Sequence, residues 1–89
     1  MNPKDAAIDL AERLEFPPEA VSGAVKVTVW DRRQAAVEHH RGLLGYSREA
    51  VEINAGRTRV RILGTALELR AMDRETVVVT GNITAVEYV

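Results

Sequence analysis

The chain has 89 residues, 46% of them apolar and 28% charged, with a formal net charge of −1. That is one domain with a thin core and too little positive charge for a nucleic-acid binder that works by phosphate neutralisation. Cysteine is absent, which excludes disulfides, thiolate zinc sites and cysteine nucleophiles. The apolar runs are too short to span a bilayer, and Met1-Asn2-Pro3-Lys4-Asp5 opens no apolar signal region. The expectation is a soluble, cytoplasmic protein with no transmembrane segment.

Two segments are expected, residues 1–22 as a helix and proline-containing linker and residues 23–89 as a β domain. Asn2 and Pro3 suit a helix start, and Ala6, Ala7, Leu10, Ala11 and Leu14 form an apolar stripe at helical spacing. Phe16-Pro17-Pro18 ends it. Residues 1–23 hold Lys4 and Arg13 against Asp5, Asp9, Glu12, Glu15 and Glu19, a net of −3 that leaves +2 for the remainder.

From Ala24 the apolar period becomes two. Val25, Val27 and Val29 alternate with Lys26, Thr28 and Trp30, Asp31-Arg32-Arg33 is a turn, and Gln34 to His39 returns as a second strand. His40 to Tyr46 contains two glycines and reads as a bend or bulge.

The last third repeats itself: Val60-Arg61-Ile62-Leu63-Gly64-Thr65 returns seventeen residues later as Val77-Val78-Val79-Thr80-Gly81-Asn82. With turns at Ala55-Gly56, Gly64-Thr65, Met72-Asp73-Arg74 and Gly81-Asn82, Val51 faces Val60, Val60 faces Leu69 and Val77 faces Val86. Glu52 then meets Arg59, and Arg61 meets Glu68. The expected fold is mainly β: an antiparallel β-meander forming a small sandwich or curled sheet, with a short N-terminal α-helix. Its core face is Val51, Ile53, Val60, Ile62, Leu67, Leu69, Val77, Val79, Val86 and Tyr88. Val78, Ile83 and Ala85 then form an apolar patch on the opposite face, suited to another subunit.

Little in the chain carries chemistry. His39 and His40 point to opposite faces of a strand and cannot share a metal, and no nucleophile triad, acid–base pair or phosphate loop stands out. No enzyme activity, metal or cofactor is expected. Arg57, Arg59 and Arg61 fall on one strand face, either as an anion contact or as a solvated stripe paired with Glu52 and Glu68. Arg41-Gly42-Leu43-Leu44 is either a partner-binding loop or a bend whose leucines plug the core. Candidate interface residues are therefore Arg41, Gly42, Leu43, Leu44, Val78 and Ile83.

The stretch Glu38-His39-His40-Arg41-Gly42-Leu43-Leu44-Gly45-Tyr46-Ser47, together with Gly81-Asn82-Ile83-Thr84-Ala85-Val86-Glu87-Tyr88, resembles the YabP/YqfC family of sporulation proteins, the YqfC branch most closely. Arg13-Leu14-Glu15-Phe16-Pro17-Pro18-Glu19-Ala20-Val21 is similar to that family's leucine–proline entry segment. His39 stands where the family pattern has asparagine, and Gly45 loosens the segment before Tyr46. The resemblance implies a non-enzymatic protein made in the mother cell of an endospore former and engaged in building the spore envelope. The implied partners are a second copy or a membrane protein made alongside it, which would hold the chain peripherally at the membrane around the forespore. The competing expectation is a small anion- or nucleic-acid-binding β domain using Arg57, Arg59 and Arg61.

Overall fold

A computed structural model describes residues 24–89; the expected N-terminal helix and its proline linker lie outside them. The described residues form one antiparallel six-stranded sheet in the order β1-β2-β6-β5-β4-β3. The strands are β1 (Lys26–Trp30), β2 (Gln34–Glu38), β3 (Leu43–Tyr46), β4 (Ala50–Asn54), β5 (Arg59–Met72) and β6 (Thr76–Tyr88). The fold is mainly β, as expected, with β1 and β2 where the alternation places them.

The seventeen-residue repeat has a different meaning from the one its glycines suggest. Gly64-Thr65 and Gly81-Asn82 are not turns. They lie inside two long strands and face each other, with Gly64 opposite Ile83 and Thr65 opposite Asn82. Each glycine sits where the two backbones cross closely. A Cβ on Gly64 would overlap the Asn82 carbonyl oxygen, and one on Gly81 would lie 2.6 Å from the Ala66 carbonyl oxygen. Glycine serves here because no side chain fits between the crossing strands.

Bulges at this crossing break the ladder, with shifts between Leu63 and Gly64 and between Thr65 and Glu68. Thr84 is the extra residue on β6, and Ala66, at φ 52°, lies in the irregular stretch of β5. One extra residue reverses which face the following side chains occupy. Val60 and Ile62 thus share a core with Leu67 despite the change of parity, as Val77, Val79 and Ile83 share it with the partly buried Val86.

The crossing divides the sheet into two four-stranded arms. The first is β1, β2, Thr76–Thr80 of β6 and Glu68–Met72 of β5. The second is β3, β4, Arg59–Leu63 of β5 and Ile83–Tyr88 of β6. A pseudo-two-fold relates them. Gln34 pairs with Thr80 and Glu38 with Thr76, just as Ala50 pairs with Leu63 and Asn54 with Arg59. Each hairpin turn also caps a bend. The Arg33 and Arg32 carbonyls accept from Gly81 and Ile83 N–H at 3.0 and 2.8 Å; the Glu49 and Arg48 carbonyls accept from Gly64 and Leu67 N–H at 3.0 and 2.9 Å.

One buried cluster takes Ala35, Val37, Val77 and Val79 from the first arm and Val51, Ile53, Val60 and Ile62 from the second. A twisted sheet curled in this way covers its own apolar face. Nine of the ten expected core-face residues belong to the cluster or pack against it; Tyr88 lies at its rim and is 64% exposed. The β4–β5 pairing is two residues away from the expected one: Val51 faces Ile62 and Ile53 faces Val60, because the loop spans Ala55 to Thr58. A slip of two keeps every side chain on its expected face. Likewise Leu69 faces Val79, and Val77 faces Met72 on β5 and Val37 on β2 rather than Val86.

Candidate interaction surfaces

The bend before β3 is built around His40. Its Nε2–H donates to the Asp73 carbonyl at 2.8 Å, and its Nδ1 accepts from the Gly42 amide at 2.9 Å. Since Nδ1 receives an N–H, the geometry fits a ring carrying its proton on Nε2. The His40 amide reaches the Glu75 carbonyl at 3.3 Å, so the bend is fastened to the β5–β6 hairpin. Asp73 shapes that hairpin: its carboxylate accepts from the Thr76 and Glu75 amides at 2.7 and 2.8 Å. Those amide bonds, with a smaller contribution from nearby His40, hold its carboxyl below the ordinary carboxylate range.

Gly42 takes φ +124° with open space around its Cα, so only its backbone conformation requires glycine. Arg41 N–H donates to the Asn54 carbonyl and Asn54 N–H to the Gly42 carbonyl, both at 2.8 Å. The two leucines part company, Leu43 packing against the core and Leu44 standing 51% exposed. Only Leu44 of the pair is presented outward.

Val78 and Ile83 do not form a joint patch. Val78 is half-buried on the outer face, whereas Ile83 is 4% exposed and part of the core. Because β6 runs straight through Gly81-Asn82, Ile83 keeps the parity of Val77 and Val79; a turn there would have put it outside. Ile83 is therefore removed from the candidate interface.

Arg57, Arg59 and Arg61 also separate. Arg57 lies exposed in the β4–β5 loop, where Gly56 at φ +90° donates its N–H to Asn54 Oδ1 at 2.9 Å. Arg59 and Arg61 stand on the outer face of the second arm. Arg61 grips Glu52 Oε1 through Nε and Nη2, both at 2.8 Å, and approaches Glu87 at 3.8 Å; Arg59 reaches Glu52 at 3.8 Å. Glu68, expected opposite Arg61, pairs with Thr80 in the first arm instead. The stripe is thus a charge-matched ladder with carboxylates other than the full set expected.

Arg57 acquires a different neighbour. The Arg41 side chain lies over Gly56, its Nε 3.5 Å from where a Cβ would stand. Arg41 and Arg57 flank an open depression of about 740 Å³ whose wall, among the described residues, includes Asn54, Thr58 and Tyr88 and no carboxylate. Sixteen positions separate the two arginines in sequence, and no local spacing signals their meeting. On β1, the strand the alternation locates, Val29 and Trp30 are 42% and 49% exposed.

Among the described residues no group of three histidines or carboxylates could hold a metal, and no helix is long and apolar enough to cross a membrane. Among the described residues the surface presents strand edges, exposed apolar side chains such as Trp30 and Leu44, and the exposed Arg41 and Arg57 beside the depression.

The model of the YabP family matches residues 22–89. The chain belongs to the YabP family. A curated relative, the uncharacterized protein YqfC of Bacillus subtilis (strain 168), is 30% identical over 80 residues, spanning 90% of this chain and 86% of the relative. No solved structure matches the chain. Within this YabP-family chain, the match covers both arms and the crossing between them.

Proposed function

We propose that this YabP-family chain is a non-enzymatic assembly or scaffolding module. It works in the mother cell during spore envelope formation, through self-association or through a membrane-protein partner that holds it at the membrane around the forespore. The observation that carries this reading is that, among the described residues, β1 ends the sheet with no strand beyond it, beside exposed Val29 and Trp30. Edge amides and carbonyls next to exposed aromatic and branched side chains form a template for another chain. The resemblance of Glu38–Ser47 and Gly81–Tyr88 to the YabP/YqfC family of sporulation proteins supports the placement in sporulation. The test is affinity capture of the tagged chain from sporulating cells, with light scattering of the purified protein across a concentration range. Recovery of a stoichiometric partner or a concentration-dependent dimer supports the reading; a monomer that captures nothing sinks it.

A second reading has its own observation. Arg41 and Arg57 beside one depression could hold an anion, since guanidinium forks match phosphate and carboxylate oxygens. This version replaces the Arg57/Arg59/Arg61 stripe, because Arg59 and Arg61 already face carboxylates. Titration with inorganic phosphate at low salt, followed by amide shifts at Gly56 to Thr58, tests it. Binding that salt does not weaken, or that survives Arg41→Gln with Arg57→Gln, rules it out.

A further inference from the structure

Among the described residues four strand edges end the arms: β1 and Glu68–Met72 of β5 in the first arm, β3 and Ile83–Tyr88 of β6 in the second. Three are interrupted. β3 has a register shift between Leu43 and Gly45. The β5 edge is irregular between Leu69 and Ala71, with Arg70 as its extra residue, and the β6 edge carries the Thr84 bulge. Bulges and charges of this kind discourage pairing with a neighbour. β1 has none: its five rungs with β2, from Lys26–Glu38 to Trp30–Gln34, run without a shift.

We infer that β1 pairs antiparallel with β1 of a second copy, across a two-fold axis at Thr28. This rests on the assembly reading above and names its partner and register. Only registers that keep odd residues on the core side and even ones outside continue the sheet. Centring on Val29 would set Lys26 against Arg32 of the second copy, like against like. Centring on Val27 would leave Trp30 facing Ala24 and only part of the strand paired. Centring on Thr28 pairs all five residues. Val27 then meets Val29 on the core side, covering two half-open valines. Lys26 meets Trp30 on the outer side, where an ammonium over an indole face is attractive. The result is a continuous eight-stranded sheet made of two first arms, with both cores on the same side. The charged outer faces of the second arms stay free.

The chain has no cysteine, so Thr28→Cys in the full-length protein gives one thiol, placed at the axis. Mild oxidation should convert it to a disulfide-linked dimer, while Thr58→Cys, exposed in the β4–β5 loop, stays monomeric. Val29→Lys, which alters an exposed edge side chain, should stay folded by circular dichroism and raise the dimer dissociation constant about tenfold or more. A wild-type dimer in which Thr28→Cys cross-links no better than Thr58→Cys overturns the β1 pairing and leaves the assembly reading standing. A wild-type monomer that captures a cellular partner does the same. A monomer that captures nothing overturns both.

Discussion

The two arms share one backbone plan and differ on their outer faces. In each, a hairpin lends two carbonyls to a bend, Arg32 and Arg33 in the first and Arg48 and Glu49 in the second, and a glycine lets the strands cross. Outside, the second arm carries the ion-pair ladder Glu52–Arg61–Glu87. The equivalent surface of the first arm is Thr28, Ala36, Val78 and Thr80, with Trp30 at one end and the Lys26–Glu38 cross-strand pair at the other. The crossing constrains the backbone tightly, while the outer faces are constrained only by solvent. The difference sets the two outer faces apart: the first arm's is mostly uncharged and ends in the unshifted β1 edge, whereas the second arm's charges are matched among themselves.

The largest expected effect comes from the crossing both arms depend on. Gly64→Ala and Gly81→Ala should each cost about 4 kcal/mol or more in urea unfolding, the range of severe backbone disruption. Gly45→Ala, with open space around its Cα, should cost under about 1 kcal/mol. Equal costs would mean that the arms do not pivot on these glycines. Next come core truncations, one per arm. Ile53→Ala should cost about 2–5 kcal/mol and Val37→Ala about 2 kcal/mol, and each variant should still unfold in a single transition by fluorescence and circular dichroism. Two separate transitions would break the claim that the arms share a core.

A smaller effect concerns the hairpin fastened by His40. Asp73 has its carboxyl depressed from the ordinary 3.8, so the folded state binds that proton less readily than the unfolded chain. Its stabilisation is complete above the unfolded value and is lost as pH falls through the lower folded value. Asp73→Asn should therefore lower the urea midpoint at neutral pH, and the gap from wild type should shrink as pH drops below 3.8. A gap that stays constant into acid would assign the loss to geometry instead. The smallest effect is expected from the half-exposed ladder: Arg61→Met should change stability by under about 1 kcal/mol. It should leave dimer affinity unchanged, whereas Val29→Lys should do the reverse. That pair of outcomes assigns association to the first arm.

Much of the core was legible because alternation survives errors in pairing. Val51, Ile53, Val60, Ile62, Val77 and Val79 are buried whichever turn joins them, since a two-residue slip preserves the face. Ile83 was misplaced because a glycine–asparagine pair reads locally as a hairpin turn. Only the presence of a crossing backbone distinguishes a turn glycine from one that makes room. The Arg41–Arg57 depression could not be anticipated for a related reason: Arg41 precedes β3 and Arg57 follows β4, and their meeting requires the β3–β4 hairpin to close. The Arg61–Glu52 pair was anticipated in kind, with its partner changed by the longer loop.

The sequence alone determined that the protein is antiparallel β, which face of each strand is apolar, and that its surface is nearly charge-balanced. It also carried the family likeness, in Glu38–Ser47 and the closing Gly81–Tyr88. Those properties follow from local alternation and composition. The tertiary structure decided that the repeat is a crossing rather than a pair of turns, and that Ile83 is core. It also decided that β1 is the edge left clean. Bulges, close backbone approach and strand order arise from contacts between residues far apart in the chain, and no local window contains them.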